Sequence, residues 1–230
     1  MSGVDKMGAD FWGDIRLWAT LWALGAYHGI NPAMGWLFAV ALGMQERSRR
    51  AVFVALLPIT VGHALSVACL LIFVAVLRLS LPATVLRWLV AFVLLTFGTY
   101  RLLRQRHFRW VGMKVAWWEL GWWSFLMATA HGAGLMLTPL ALCLPQGQGR
   151  WGVAMFSGQF GETFRVLPNS LTPPLLATLI HTIGMLMTMA TMAWLVYEKL
   201  GVALLRRWWL NFDLLWGIAL LLAGIITLLM

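Results

Sequence analysis

Charged side chains are scarce in this sequence of 230 residues, in which Asp, Glu, Lys and Arg together make up only 11%. Hydrophobic residues make up 61% of the chain, which is more apolar surface than the core of a soluble domain can bury. The longest connection between apolar windows, 145–171, is too short for a separate aqueous domain. We therefore expect residues 1–230 to form one integral membrane domain that is not an enzyme.

Several familiar motifs are also missing. The sequence has no Gly-x4-Gly-Lys-[Ser/Thr] loop, so a nucleotide bound in this way is not the expected source of energy. Cys69 and Cys143, the two cysteines, have no paired spacing and give no firm information on disulfides or redox chemistry. The first fifteen residues lack a basic start that leads into a short apolar core, so we expect the first apolar segment to be retained.

Apolar windows long enough to cross a bilayer, which takes about 20 helical residues, occur six times. They predict an all-α polytopic membrane protein with six transmembrane helices. Three spans precede the basic connection at 101–116 and three follow it, and an odd number of spans per half inverts the second half. We expect two inverted three-helix repeats, over about 16–104 and about 117–229. The six windows lie at about 16–43, 51–78, 83–104, 117–144, 172–197 and 208–229.

Basic residues gather on one side of the predicted membrane. The connections after spans one, three and five contain basic clusters at 47–50, 101–114 and 199–207. By the positive-inside rule these connections face the cytoplasm and both termini face outwards, which we expect in a bacterial inner membrane. Topology therefore explains the net charge of +9. We expect the lipid bilayer and no nucleic acid as a partner, and a homo-oligomer or larger membrane complex is compatible with the sequence.

Histidines recur at matching places in the two halves. Span one contains GAYHG and span four ATAHG, while span two contains VGHAL and span five LIHTI. At 1.5 Å per residue, His28, His63, His131 and His181 all fall near the bilayer midplane, whereas His107 lies in a connection. Because ionisable residues inside a membrane usually mark a site or a pathway, these four imidazoles predict a shared polar site.

Helix-breaking residues accompany the predicted site. Pro32 and Pro139 follow the histidines of spans one and four, and proline removes an amide donor and clashes with the preceding turn. We expect both spans to open and to expose carbonyls near Gly29 and Gly132, which a protein-lined cavity tolerates and lipid does not. The HGINP stretch, which contains Asn31, is therefore expected to line the site.

Small and soft side chains are also found near the histidines. Gly25 and Gly29 form a small-xxx-small pair, which predicts that a neighbouring helix comes close to span one. The run MLMTMATM at 185–192 offers a thioether sulfur four times. Packing between helices is the expected role of these methionines.

The stretch HGINPAMGWLFAVALGMQERSRRAV, followed by LPITVGHALSV, resembles the nickel/cobalt exporter family of the lysine-exporter-like group, which are small inverted-repeat transporters. The resemblance covers about 24–70. In that family the first motif is His-x3-Pro-x-His and the second is a Gly-His in the next span. The resemblance implies site roles for His28, Pro32 and His63. The last position of the first motif holds Met34 here, and a thioether suits copper(I) better than nickel.

Imidazole chemistry independently favours a metal, because neutral imidazole binds zinc, copper, iron and nickel. A closed cage of four ligands would hold an ion too firmly, so we expect only part of the set to bind as one repeat rocks. Ligation competes with protonation, which predicts proton exchange as the energy source. We therefore predict a transporter of a transition-metal cation (nickel/cobalt-like, or copper or zinc). Its expected ligands are His28, His63, His131 and His181, with Asn31, Pro32, Met34, Gly29 and Gly132 beside the pathway.

Two other functions fit the same histidines. Two histidines on different helices can hold one haem from either face, so four could hold two haem b groups in a membrane electron carrier. The flanking prolines argue against this alternative, since haem favours regular helices. In an accessory membrane subunit, the histidines would only tie helices together.

Overall fold

The computed structural model describes residues 3–103, 117–143, 172–200 and 212–230, and every regular element in these ranges is helical. In the first half, an interrupted helix is followed by two long ones. Helix α1 ends where a 3-10 turn begins, and α2 continues after that turn. The elements are α1 (Gly3–Ile30), the turn (Pro32–Met34), α2 (Trp36–Gln45), α3 (Arg49–Ser80) and α4 (Ala83–Leu103).

The second half also begins with an interrupted helix. Its first two helices, α5 and α6, are separated by one residue and meet at a bend of 64°. A long helix and a shorter apolar one follow, and a π-helical turn extends the long one. The elements are α5 (Trp117–His131), α6 (Ala133–Cys143), α7 (Thr172–Leu195), the π-helical turn (Val196–Leu200) and α8 (Phe212–Leu229).

Within the described ranges, three helices, α3, α4 and α7 with its π-helical turn, are long and apolar enough to cross a membrane, and the bent pair α5–α6 makes a fourth if it is one span. On α3, Leu57, Val61 and Leu65 are all exposed. Their four-residue spacing places them on one apolar face, as expected of a helix in contact with lipid. The fold is thus that of an all-helical protein with several candidate membrane spans, and predicted spans two to five agree with described helices to within a few residues.

The helices of one half pack mainly against helices of the other. Helix α1 lies along α7, α3 lies along α5, α4 lies along α8, and α3 also contacts α7. Glycines make the first two contacts close. A Cβ at Gly25 would overlap the carbonyl oxygen of His181, and a Cβ at Gly62 would overlap that of Gly121. At both crossings backbone meets backbone, which confirms the close approach predicted from Gly25 and Gly29.

Arginines at the two ends of α3 make contacts with other helices. The Arg49 Nε atom lies 2.5 Å from the Glu198 Oε1 atom in the π-helical turn. At the other end, the Arg78 guanidinium donates hydrogen bonds of 3.0 and 2.7 Å to the carbonyls of Ala141 and Leu142 in α6. Helix α3 is therefore tied to the second half at both ends.

Two apolar clusters make up the interior around α3 and α7. Cluster A includes Met34, Trp36, Ile59, Met185 and Met189. Cluster B includes Leu21, Val67, Leu71, Leu137 and Ala177.

Candidate functional site

His28 of α1, His63 of α3 and His181 of α7 bring their imidazole rings together. The ring centroids lie 5.5 Å apart for His28 and His63, 4.7 Å for His28 and His181, and 5.6 Å for His63 and His181. Each of these side chains is at most 1% exposed. Three of the four predicted site histidines thus form one buried group, the imidazole cluster.

The imidazole cluster lies in a thin layer between the two apolar clusters. On α3, His63 follows Ile59 of cluster A by four residues and precedes Val67 of cluster B by four. On α7, His181 is likewise four residues from Ala177 of cluster B and four from Met185 of cluster A. Four residues are about one helical turn, or 6 Å along the axis. The polar layer is therefore covered by apolar side chains on both sides.

Two ring nitrogens of the cluster approach each other closely. The Nε2 atoms of His63 and His181 lie 3.4 Å apart. Nitrogen ligands at about 2.0–2.1 Å from a tetrahedral ion are about 3.3–3.4 Å apart, so the pair has the separation of two ligands on one ion. The same distance also fits a weak hydrogen bond in which one Nε2–H donates to the other Nε2.

Several polar atoms in this layer are buried and have no hydrogen-bond partner. A buried polar group left without a hydrogen bond costs about 1–3 kcal/mol. Such groups are uncommon in native proteins, and a concentration of them requires an explanation such as a bound ion or water. The atoms are His28 Nε2, His63 Nδ1 and the hydroxyl oxygen of Thr182, which directly follows His181. The layer therefore has the unsatisfied polar character of a binding site.

The helix-end histidines His28 and His131 are oriented by their own helices. The Nδ1 atom of His28 lies 2.8 Å from the Leu24 carbonyl oxygen, and that of His131 lies 2.9 Å from the Met127 carbonyl oxygen. If each neutral ring donates its Nδ1–H to this carbonyl, its lone pair is on Nε2. Metal-binding histidines commonly donate their second nitrogen to a carbonyl in this way, so both rings are held in a tautomer that suits ligation through Nε2.

The fourth predicted ligand, His131, lies close enough to His28 and His63 to interact with them electrostatically, and Trp216 of α8 contacts both His131 and the cluster. The Trp216 indole N–H donates a hydrogen bond to the His131 carbonyl, and the Trp216 ring lies 4.2 Å from the His28 ring between centroids. Trp216 is not among the predicted site residues. Its position well inside predicted span six, away from the interface where tryptophan is usually found, is the signal that could have identified it.

The predicted interruption of span one is confirmed, and the structure shows how it forms. Asn31 has an extended backbone (φ −65°, ψ 120°), and its side-chain oxygen accepts a hydrogen bond of 2.9 Å from the Ala33 N–H. Pro32 then starts the 3-10 turn, and Gly35 ends it at φ 115°, a left-handed conformation that glycine adopts without strain. Asn31, Pro32 and Gly35 therefore shape the break.

The interruption of span four is also confirmed, but proline does not cause it. Helix α5 ends at His131, and the next residue, Gly132, has a φ of 70°, a value that favours glycine. Pro139 lies seven residues later, inside α6. The prediction that Pro139 opens this span is therefore wrong, because the helix turns at the glycine directly after His131.

Carbonyls next to the two breaks are satisfied by tryptophan indoles. The Trp36 N–H donates a hydrogen bond of 3.1 Å to the Ile30 carbonyl, and Trp216 does the same for His131. The sequence predicted open carbonyls near Gly29 and Gly132, and this prediction is wrong for the carbonyls of Ile30 and His131.

The remaining predicted residues lie near the cluster in structural roles. A Cβ at Gly29 would overlap the Met185 carbonyl oxygen, so this glycine allows α1 to approach α7. Met34 is buried in cluster A together with Met185 and Met189. His107 and the rest of the basic connection at 104–116 lie outside the described residues.

The described ranges contain no group of three or more His, Cys, Asp or Glu side chains arranged to hold a metal ion. The imidazole cluster thus offers one pair of nitrogens at the separation of two ligands, with a third imidazole beside it.

Comparisons of the chain with known protein families, with curated proteins and with solved structures found no match. The function has to be inferred from the site itself.

Proposed function

We propose that this protein is a membrane transporter of a transition-metal cation and that the imidazole cluster is its substrate site. The observation that carries the proposal is the convergence of three buried imidazoles from three helices in a layer between two apolar clusters. A cation that has lost its water needs basic donor atoms, and neutral imidazole supplies them to nickel, cobalt, copper and zinc.

We propose that the chain crosses the membrane six times as two inverted three-helix repeats. The first repeat comprises the interrupted helix α1–α2 with α3 and α4, and the second comprises α5–α6 with α7 and α8. The helix contacts support this arrangement because they are reciprocal. In the proposed repeats, α1 is equivalent to α5, α3 to α7 and α4 to α8. Helix α1 packs on α7, and in the same way α5 packs on α3. The other two contacts, α3 with α7 and α4 with α8, each join a helix to its own equivalent. Such contacts are expected around a pseudo-two-fold axis in the membrane plane.

The closest nitrogen pair suggests how a bound ion would be released. His63 belongs to the first proposed repeat and His181 to the second, so rocking of one repeat against the other changes the separation of their Nε2 atoms. A pair at 3.4 Å can share an ion, whereas a pair further apart than twice the metal–nitrogen distance, about 4.2 Å, cannot. Since an imidazole that binds a proton loses its metal, proton exchange is the proposed energy source.

The geometry supports an ion over a haem at this pair. A haem held by His63 and His181 would need room for its macrocycle between the two rings. The His28 ring lies 5.5 Å from the His63 ring and 4.7 Å from the His181 ring between centroids, close to where the macrocycle would extend. If the protein is an accessory subunit in which the histidines are structural, no metal transport is expected. The experiment below can give that result.

Purified protein in proteoliposomes tests the proposal. Metal uptake from an external mixture of nickel, cobalt, zinc and copper ions, with copper supplied in both oxidation states, is measured by elemental analysis, with and without a proton gradient. We expect uptake by the unchanged protein and loss of uptake by His63→Ala at equal protein content. Equal uptake by both, or uptake no greater than that of empty vesicles, would contradict the proposal. A Soret band in the purified protein would favour the haem carrier.

Cysteine labelling tests the proposed orientation, in which both termini lie outside and the 101–116 connection lies in the cytoplasm. The native thiols of Cys69 and Cys143 are free and belong to exposed residues, so both are first replaced by serine. A cysteine is then introduced into the connection. We expect an impermeant reagent to label this cysteine only after the cells are opened. Labelling in intact cells would show that the connection faces outwards and that the proposed orientation is wrong.

A further inference from the structure

Three methionines are buried beside the imidazole cluster. Met34, Met185 and Met189 are 3%, 0% and 0% exposed, and all three belong to cluster A. A Cβ at Gly29 would lie against the Met185 carbonyl and 3.1 Å from the Met189 backbone nitrogen. The end of α1, just before the turn that contains Met34, is thus packed on the part of α7 that contains the other two methionines.

The methionines of α7 continue the line of the site along one helix face. Met185 and Met189 follow His181 by four and eight residues, which places all three on the same face at intervals of about 6 Å. The helix continues into the π-helical turn, where Glu198 meets Arg49. Imidazole and thioether groups therefore line up from the cluster towards the Arg49 end of α3.

The buried polar side chains of the described ranges are those of histidine, asparagine, serine and threonine, which bind a cation as neutral groups. The cost of moving an ion out of water rises with the square of its charge, so a divalent ion costs about four times as much as a monovalent ion of equal size. A neutral, deeply buried set of ligands therefore favours a monovalent cation.

Among transition metals, soft thioether ligands select monovalent copper, and imidazole also binds copper. Monovalent copper is commonly bound by two or three ligands. The His63 and His181 Nε2 atoms at 3.4 Å supply two, and either the third imidazole or a thioether completes the set.

Building on the proposed function, we infer that the substrate is monovalent copper. We infer further that the thioethers of Met185 and Met189, with Met34 beside them, carry it between the imidazole cluster and the Arg49 end of α3.

The first experiment compares metals of different charge in proteoliposomes. The probes are copper(I) kept reduced with ascorbate, silver(I) as a monovalent ion that is not redox-active here, and nickel(II), cobalt(II) and zinc(II). We expect uptake of both monovalent ions that depends on His63 and exceeds that of each divalent ion by at least about tenfold. His63-dependent uptake of a divalent ion without copper(I) would overturn the inference and leave the proposed function intact. If none of the five ions is taken up, the proposed function fails, and the inference fails with it.

The second experiment removes sulfur while keeping side-chain volume, because leucine and methionine exchange with little loss of packing. We expect the double variant Met185→Leu, Met189→Leu to reduce copper(I) uptake roughly tenfold or more, within the range reported for loss of groups that support metal sites. Met187→Leu, on the same helix but 56% exposed, is the matched control and should transport normally. Equal thermal stability of the variants shows that both are folded. Copper(I) uptake by the double variant equal to that of the control would overturn the methionine route.

Discussion

The two interrupted helices follow the same plan with different detail. In each, a histidine lies just before the break, its Nδ1 atom meets the carbonyl four residues earlier, and an indole satisfies a carbonyl at the end of the helix. The first break runs from Asn31 to Gly35 and contains Met34, whereas the second is the single residue Gly132. The His28 ring belongs to the imidazole cluster, whereas His131 lies beside the cluster and its carbonyl is bound by Trp216.

This difference separates what the two halves share from what only one provides. Both halves hold a helix-end histidine in a fixed tautomer, and both supply one member of the close nitrogen pair, His63 or His181. The first half alone adds a longer break that brings a thioether into cluster A. Equivalent positions in the two halves are therefore not expected to be equally important for transport.

The largest effect is expected at the nitrogen pair. Replacing His63 or His181 with Ala removes one of the two nitrogen ligands, so we expect metal uptake to fall about 100-fold or more. Loss of a group that only supports a metal site reduces activity by up to about 100-fold, and loss of a ligand should cost at least as much. Uptake is measured in proteoliposomes at matched protein content. Because each half supplies one partner, the two variants should be affected alike, and normal transport by either would show that the pair does not bind the substrate.

The next effect distinguishes the two helix-end histidines. We expect metal uptake by the His28→Ala variant to be about tenfold lower than uptake by the His131→Ala variant. A tenfold loss is the lower end of the range for removal of a group that supports a metal site. The reason is that the His28 ring lies in the cluster, while the Trp216 contact of His131 uses a backbone carbonyl that alanine retains. Uptake by the two variants is compared side by side. Equal losses would mean that both rings act on the substrate and that the halves are functionally symmetric.

A smaller effect is expected at the crossing of α3 and α5, where the two glycines differ. A Cβ at Gly62 would overlap the Gly121 carbonyl, whereas a Cβ at Gly121 would lie 3.4 Å from the nearest atom, the Pro58 carbonyl oxygen. We expect Gly62→Ala to destabilise the protein by about 1–3 kcal/mol, as overpacking does, and Gly121→Ala to change stability little. Thermal unfolding in detergent provides the measurement. A lower Tm for Gly121→Ala than for Gly62→Ala would contradict this account of the crossing.

The smallest effect is expected outside the membrane. His107→Ala should leave metal uptake unchanged, because His107 lies in the predicted connection and not at the predicted midplane. The variant is assayed together with His63→Ala. A loss comparable to that of His63→Ala would mean that the connection contributes to binding.

Much of the helical framework could be predicted from the sequence, because long apolar windows give the helix positions with little ambiguity. The recurrence of histidine at matched depth also identified three residues that meet. Depth alone could not distinguish His131 from the others, since the rotation of a helix about its axis decides which rings touch. An almost wholly apolar helix such as α8 has no polar face that reveals its rotation, so the depth of Trp216 could mark it as unusual but could not predict its contact with His28. At the second break, Pro139 was the more conspicuous breaker, but a proline can lie inside a buried helix when its neighbours satisfy the backbone.

The glycine crossings coincide with the residues of the close nitrogen pair. Gly25 packs on the backbone of His181 itself, and Gly62 directly precedes His63. Arg49 and Arg78 lie 14 and 15 residues from His63 on one continuous helix, or about 21–23 Å. If α3 pivots where Gly62 meets α5, a tilt of about 10° moves the Arg49 end and the Arg78 end by about 4 Å each, in opposite directions. The His63 ring, next to the pivot, would move much less, but even a small movement changes a nitrogen pair that is only 3.4 Å apart. A lever of this shape would loosen the contacts at one membrane face and tighten those at the other while the bound ion stays almost in place.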